Sequence, residues 1–385
     1  MNNCTLESVA DLIRDPIECK VVTVDNYIST ENMIPNKGGV TTSSSLPKKG
    51  KVNSFKIGDI LISNIRPYFK KIWLAEFDGY CSQDVLVIRP KQKKETQYLY
   101  AVLSQDAFFD YSTKSTKGTK MPRGDIVAIN KYLIPDLSEN GKCFISRLST
   151  SINAKIQVNN QINKNLLDLL KLSYKTFSEE DQWPKMPASA IAEKIGMGPF
   201  GSAIKAETFQ ANGVPIINGQ QLNGFFVDDN FQNFISEDHA DCLNNSVVYP
   251  GDLVFTHRGT LGQVSLIPNS YNHNRYMASQ SQFYLRPDLN KISPIYLLCF
   301  FQSRIGQHEL LSFSTQTGVP ALAQPVTNLK KLSIPVPPIG LQREWEKKVV
   351  PMVEQYLLLS SENKQLTTLR DYLLPKLLSG KVEIQ

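Results

Sequence analysis

SINAKIQVNNQINKNLLDLL, residues 151–170, places Ile152, Ile156, Asn159, Asn163, Leu166 and Leu170 at alternating steps of four and three. Steps of that kind bring side chains to one seam of a long helix that pairs with another helix. A second stretch repeats the spacing with Met352, Tyr356, Leu359, Asn363 and Leu366, and Arg370 then breaks the stripe. A helix of roughly 35 residues runs about 50 Å at 1.5 Å per residue, so two of them can pair as a spacer. Asn163 and Asn363 hold equivalent seam positions, where a lone polar residue fixes register at some expense of stability. Pro351 reads as a mark of the second helix's first turn and Pro375 as a kink. The competing reading packs each helix on a globular domain of its own.

Working outward, the seam turns out to be part of a longer repetition. Asn163-Lys164-x-Leu166 returns as Asn363-Lys364-x-Leu366, an offset of 200. Gly58-Asp59-Ile60-Leu61 returns as Gly251-Asp252-Leu253-Val254, and Ser82-Gln83 running to Arg89-Pro90 returns as Ser279-Gln280 running to Arg286-Pro287. Tyr98-Leu99-Tyr100 matches Tyr296-Leu297-Leu298, Gly118 matches Gly318, and Ile134-Pro135 matches Ile334-Pro335. Six short matches in one order, with slowly drifting spacing, indicate a tandem duplication of about 200 residues. Ahead of each seam the pattern is mixed: Val85-Leu86-Val87-Ile88 is a buried strand candidate, and Pro35-Asn36-Lys37-Gly38-Gly39 is a loop. The expected organisation is α+β, with globular domains over 1–140 and 183–338 and helical spacers over 141–182 and 339–385.

Composition bounds the function. A chain of 385 residues, 41% apolar and 20% charged, is long enough for two or three folded units. The start, Met1-Asn2-Asn3-Cys4-Thr5-Leu6-Glu7, lacks the basic and apolar regions of a signal peptide, and the longest apolar run, 295–301, is too short for a bilayer. A cytosolic protein is expected. Its six cysteines show no C-x-x-C pair and read as reduced thiols, and the four histidines lie far apart, so no metal site is expected. The net charge of +6 is mild, but Lys48, Lys49, Lys51 and Lys56 cluster, as do Lys114, Lys117, Lys120 and Arg123, in stretches that look like exposed basic loops.

Catalytic signatures fail one at a time. No G-x-x-x-x-G-K-[ST] phosphate loop and no His-Glu-x-x-His occurs. Gly196-x-Gly198-x-x-Gly201 fits a dinucleotide fingerprint in form, yet the preceding 190–195 looks helical, and Gln220 and Gln221 stand where an acidic residue is needed. Val336-Pro337-Pro338-Ile339 lacks the flanking residues with which an amino-methyltransferase holds its target. Pro135-Asp136 with Glu139 and Lys142 has the wrong spacing for a nuclease. No catalytic residue and no bound cofactor are assigned.

Two variable domains, each followed by a helix carrying Asn-Lys-x-Leu, resemble the specificity subunit of type I restriction-modification systems. The echoes are Gly198-Pro199-Phe200-Gly201-Ser202, Gly251-Asp252-Leu253-Val254, Arg258-Gly259-Thr260-Leu261-Gly262, Ile334-Pro335-Val336-Pro337-Pro338 and the tail Leu373-Leu374-Pro375-Lys376-Leu377-Leu378-Ser379-Gly380. The chain departs from the family where Gly340-Leu341-Gln342-Arg343 replaces a Glu-Gln pair, and where Arg14-Asp15-Pro16-Ile17 stands for the first Gly-Pro-Phe-Gly loop. The resemblance implies two target-recognition domains separated by an antiparallel pair of long helices, with approximate twofold symmetry and no catalysis by this chain. It also implies a bipartite, asymmetric site on double-stranded DNA, two methyltransferase subunits as partners, and motor-nuclease restriction subunits that can join them. S-adenosylmethionine, ATP and magnesium then belong to the partners, and no membrane is involved.

Candidate DNA contacts are Arg66, Lys114, Lys117, Lys120 and Arg123 in the first domain, and Lys205, His257, Arg258, Thr260, Arg275 and Gln316 in the second. Arginine and glutamine suit bidentate contacts to guanine and adenine, and lysine suits phosphate. Ile152, Ile156, Asn163, Leu166, Leu170, Met352, Tyr356, Leu359, Asn363 and Leu366 are expected to pair the helices or to bind partners. A scaffold holding two peptide-binding domains apart is the alternative reading.

Overall fold

A computed structural model describes residues 2–116, 121–179, 183–201, 203–315 and 319–380. The chain divides into two compact units, residues 1–161 with 359–385, and residues 162–358. Two long helices, Glu139–Glu179 and Ile339–Leu378, each give one half to either unit.

In the first unit an antiparallel sheet runs in the order Ala10–Ile13, Val85–Pro90, Ile60–Ser63, Ile72–Leu74. The runs 85–88 and 60–62 in its middle strands are apolar because both faces are covered. Ile60 and Ile62 face Tyr98, Leu99, Phe108 and Phe109 of two short helices, while Leu61 joins Phe55, Trp73 and Val87 on the other side. A ribbon of Asn2–Thr5 with Leu133–Asp136 leads into the first long helix.

The second unit builds the same sheet from Ala192–Met197, Gln282–Pro287, Leu253–Thr256 and Val264–Leu266, with a ribbon of Lys185–Pro187 and Ser333–Pro335. A further sheet in each unit shares three strands: Lys51–Phe55, Gly79–Cys81 and Tyr27–Ile28 correspond to Val247–Val248, Tyr276–Ala278 and Val214–Ile217. The edges differ. Pro16–Glu18 borders the first of these sheets at one side, and Phe234–Ile235 borders the second at the other.

The repeated motifs prove to be staples of the fold. Arg89 grips Asp59 with Nε and Nη2 at 2.7 and 2.6 Å, and Arg286 grips Asp252 likewise at 2.9 and 2.8 Å. Both aspartates are 2% exposed or less. Burial pushes the Asp252 carboxyl up, against the pull of Arg286. The Tyr98 hydroxyl donates to the Pro135 carbonyl at 2.5 Å, as Tyr296 does to Pro335 at 3.0 Å.

The long helices depart from the expected pattern in two places. The second starts at Ile339, so Pro351 lies well inside it, as does Pro375. An interior proline costs a helix about 3 kcal/mol; here Val349 and Val353, and Leu374 and Leu377, are buried on either side of the two prolines and offset it. Arg370 does not end the seam: it is 7% exposed and donates to Asn153 Oδ1 at 2.9 Å. Asn363 of the first unit accepts from Asn159 Nδ2 at 2.9 Å and donates to Asn160 Oδ1 at 2.8 Å. These contacts, with residue numbers rising on one helix and falling on the other, make the two segments antiparallel within that unit.

Of the seam candidates, Ile152, Asn163, Leu170 and Leu359 are buried, whereas Ile156, Leu166, Met352, Tyr356, Asn363 and Leu366 are half-buried. The competing reading holds in part, since the helices also pack on their domains. Tyr174 and Phe177 join Trp345 and Tyr296 in the second unit, with the Phe177 and Trp345 rings stacked at 5.5 Å, and Tyr356 lies against Phe226. Residues 192–195, read as helical, instead form the strand Ala192–Met197, because pairing with Gln282–Pro287 overrides local propensity.

Candidate nucleic-acid interface

In both units a loop leaves the central strand and crosses a distant segment in the same way. Arg66 N donates to the Pro122 carbonyl at 2.8 Å, with a bridge between Ile65 and Arg123. Gly259 N donates to Pro320 at 3.0 Å, with a bridge between Arg258 and Ala321. The crossing residue has a left-handed backbone in both, φ 49° at Arg66 and 101° at Gly259. Glycine takes that conformation freely; arginine seldom does. Each loop thus presents an arginine one residue out of step with its counterpart.

Arg66 and Arg258 are exposed, and among the described residues neither meets a carboxylate. Arg66 has Tyr68 and Phe69 beside it, 49% and 38% exposed, and the bridge brings Arg123 alongside. Arg123 is engaged by Asp84 at 2.9 Å.

Arg258 and Thr260 line an open concavity of about 370 Å³ whose other walls are amides and hydroxyls, among them Asn218, Gln220, Asn223, Thr256, Gln263 and Gln282. Its floor is fixed by internal bonds. Gln263 donates to the Gly219 carbonyl and to Asn223 Oδ1, at 3.0 and 2.9 Å, and accepts from Thr256 Oγ1 at 2.8 Å. The Gln220 side chain is exposed at the rim. A rigid polar floor with one arginine and one glutamine head at its edge is suited to the donor and acceptor pattern of base edges. Gln220 escaped the sequence reading, where it figured only as the failed acidic position of a nucleotide fingerprint.

The remaining candidates are scattered. His257 sits one residue before Arg258, its Nε2 within 3.0 Å of the Gln280 carbonyl. Lys114 ends the helix Asp106–Lys114, and Lys205 precedes a short turn; both are exposed. Arg275 is committed elsewhere. Its Nη1 meets Asp241 at 2.5 Å and its Nε meets Glu237 at 2.8 Å, and these two carboxylates raise its guanidinium further above its ordinary range. Lys117, Lys120 and Gln316 lie outside the described residues. Among the described residues no group of acidic, histidine or cysteine side chains could hold a metal, and no helix is long and apolar enough to cross a membrane.

Comparison with known proteins gives likenesses of three kinds: to a family, to a curated relative and to solved structures. The family described as "Type I restriction modification DNA specificity domain" matches residues 11–168 and again 194–368. The specificity subunit of the type I restriction enzyme EcoDI from Escherichia coli is 34% identical over 83 residues, which take in 22% of this chain and only 18% of that subunit. The crystal structure of a type I restriction-modification S subunit from M. genitalium is 17% identical, with a TM-score of 0.60 over 100% of this chain and 96% of that one. That of the HsdS subunit from Thermoanaerobacter tengcongensis is 18% identical over 99% and 97% of the two chains, with a TM-score of 0.37.

Proposed function

Because the chain belongs to the family of type I restriction-modification DNA specificity domains, we propose that it is the non-catalytic chain that reads a split, asymmetric DNA target for such a complex. The observation that carries this reading is the repeated loop crossing: each loop bears an arginine that meets no carboxylate among the described residues, in different surroundings. Two identical readers on one dimer call for a palindrome. Two diverged readers in one chain call for two different half-sites. Arg66 and Arg123 are assigned to the first, and Arg258, Thr260, His257 and Gln220 to the second. Lys114 and Lys205 are assigned to phosphates, which set register without carrying sequence.

The partners are two copies of a methyltransferase subunit, joined in some assemblies by restriction subunits; S-adenosylmethionine, ATP and magnesium are theirs, and the site of action is the cytoplasm. Support for two copies comes from a second apolar stripe on the long helices. Val158, Leu169 and Leu172 are 55%, 50% and 59% exposed, and their repeat counterparts Leu358, Leu369 and Tyr372 are 63%, 47% and 59% exposed. Because the helices are shared, Val158, Leu369 and Tyr372 fall in the first unit, and Leu358, Leu169 and Leu172 in the second. Each unit therefore offers the same three positions to a partner, and apolar side chains repeated in this way mark an interaction surface.

The test is to co-express the chain with the methyltransferase subunit encoded beside it and to map methylated bases in the host genome. The expected result is one split, non-palindromic motif that disappears when this chain is omitted. An assembled complex with no motif would sink the reading.

A further inference from the structure

We propose that Lys37 is a positioning residue for the arginine-bearing loop of the first unit, holding that loop to the second long helix. The inference rests on the reading of Arg66 as a DNA contact. Asn36, Lys37, Arg66 and Lys70 have left-handed φ values of 56°, 63°, 49° and 52°; among the described residues only Gln324 is a further non-glycine case. Residues with side chains hold this conformation only where their surroundings impose it. Here the four stand in two loops that grip each other, Asn36 N donating to the Phe69 carbonyl at 2.9 Å and Lys37 N to the Lys70 carbonyl at 2.8 Å.

The grip continues through charge. The Lys37 side chain, 6% exposed, reaches Asp106 at 3.0 Å and Asp371 at 3.3 Å, and Asp106 also takes Lys70 at 2.8 Å. Asp371 stands on the second long helix beside Arg370, whose Nη1 reaches Asn153 on the first. One unbroken run of contacts therefore leads from the Arg66 loop to the helix pair of its own unit. Ion pairs that draw a buried lysine to partly exposed carboxylates are a weak source of stability, and their effect is to fix an arrangement. Among the described residues the loop of the second unit has no such pair: Gly259 stands at its crossing, and Gln307 donates to the Gly262 carbonyl at 2.9 Å. Strain and buried charge occur together where an arginine head has to be aimed, and not where a glycine takes the turn.

The test uses the full chain in its complex with the methyltransferase subunit, read by the methylated motifs of the host genome. Arg66→Ala and Arg258→Ala identify the half-site that belongs to each unit. Lys37→Met is expected to relax the same half-site as Arg66→Ala, with about tenfold more methylation at sites mismatched there, the size of one lost base contact. The other half-site stays strict, and Lys37→Arg restores the first. Asp371→Asn, which removes the charge tying Lys37 to the helix and leaves Asp106 in place, gives the same selective relaxation. An unchanged motif in Lys37→Met or in Asp371→Asn overturns the proposal, as does equal loss of both half-sites with a lower melting temperature. A wild-type complex with no split motif overturns the DNA reading itself, and the proposal with it.

Discussion

Arg258 and Gln220 line one cleft, and under the proposed function each would read a different base. Removing a bidentate head costs about 1 to 3 kcal/mol of discrimination at one base pair. Arg258→Ala and Gln220→Ala are each expected to relax one position of the same half-site, as seen in the methylated motif. If either leaves all positions strict, that residue does not read a base. Arg275→Ala, whose guanidinium is already held by Glu237 and Asp241, should leave the motif unchanged. Asp252→Ala acts differently: it strands Arg286 against the core and is expected to cost the second unit about 3 kcal/mol in denaturant unfolding. A loss below about 1 kcal/mol would mean that the duplicated Asp–Arg staple adds little. The sequence made Arg258 and Thr260 visible because they stand in a compact motif of small and charged residues. It hid the commitment of Arg275, since the two acids that hold it lie 38 and 34 residues away. Gln220 was hidden too, because an amide on a turn has no periodicity to give it away.

Helices announce themselves by period, and the steps of four and three in 151–170 suffice to read the seam. Its polar members are harder to read. Arg370 looks like an end to the stripe until its bond to Asn153 is seen. Arg370→Ala is expected to lower the stability of the first unit by about 1 to 3 kcal/mol, because Asn153 loses a charged donor in a partly buried seam. An unchanged thermal transition would return Arg370 to the solvent face. The segment 192–195 shows the opposite error. Ala, Ile, Glu and Lys favour a helix locally, but a strand of that length is decided by the neighbour it pairs with, and that neighbour, Gln282–Pro287, is some 90 residues on.

The duplication is legible in the sequence, and the repeated sheet orders follow it closely. What no repeat could disclose is that each compact unit takes helix segments from both ends of the duplication, since a seam pattern says that a helix pairs without saying which part of it rests on which domain. Two outcomes belong to this scale. Leu369→Asp combined with Tyr372→Asp is expected to remove one methyltransferase copy from the complex, seen as a drop in mass by light scattering; retention of both copies would exclude the second stripe as their seat. Lys114→Ala is expected to weaken binding to all sequences alike and to lower the slope of affinity against salt by about one. Unequal weakening across sequences would make Lys114 a base contact. The shared helices also bear on how the chain is made. The core of the first unit includes Leu374, Leu377 and Leu378 packed near Ile145, so of the two units the one translated earlier is completed later. A stop placed in the second long helix would therefore cripple the first unit as well, whose core it completes.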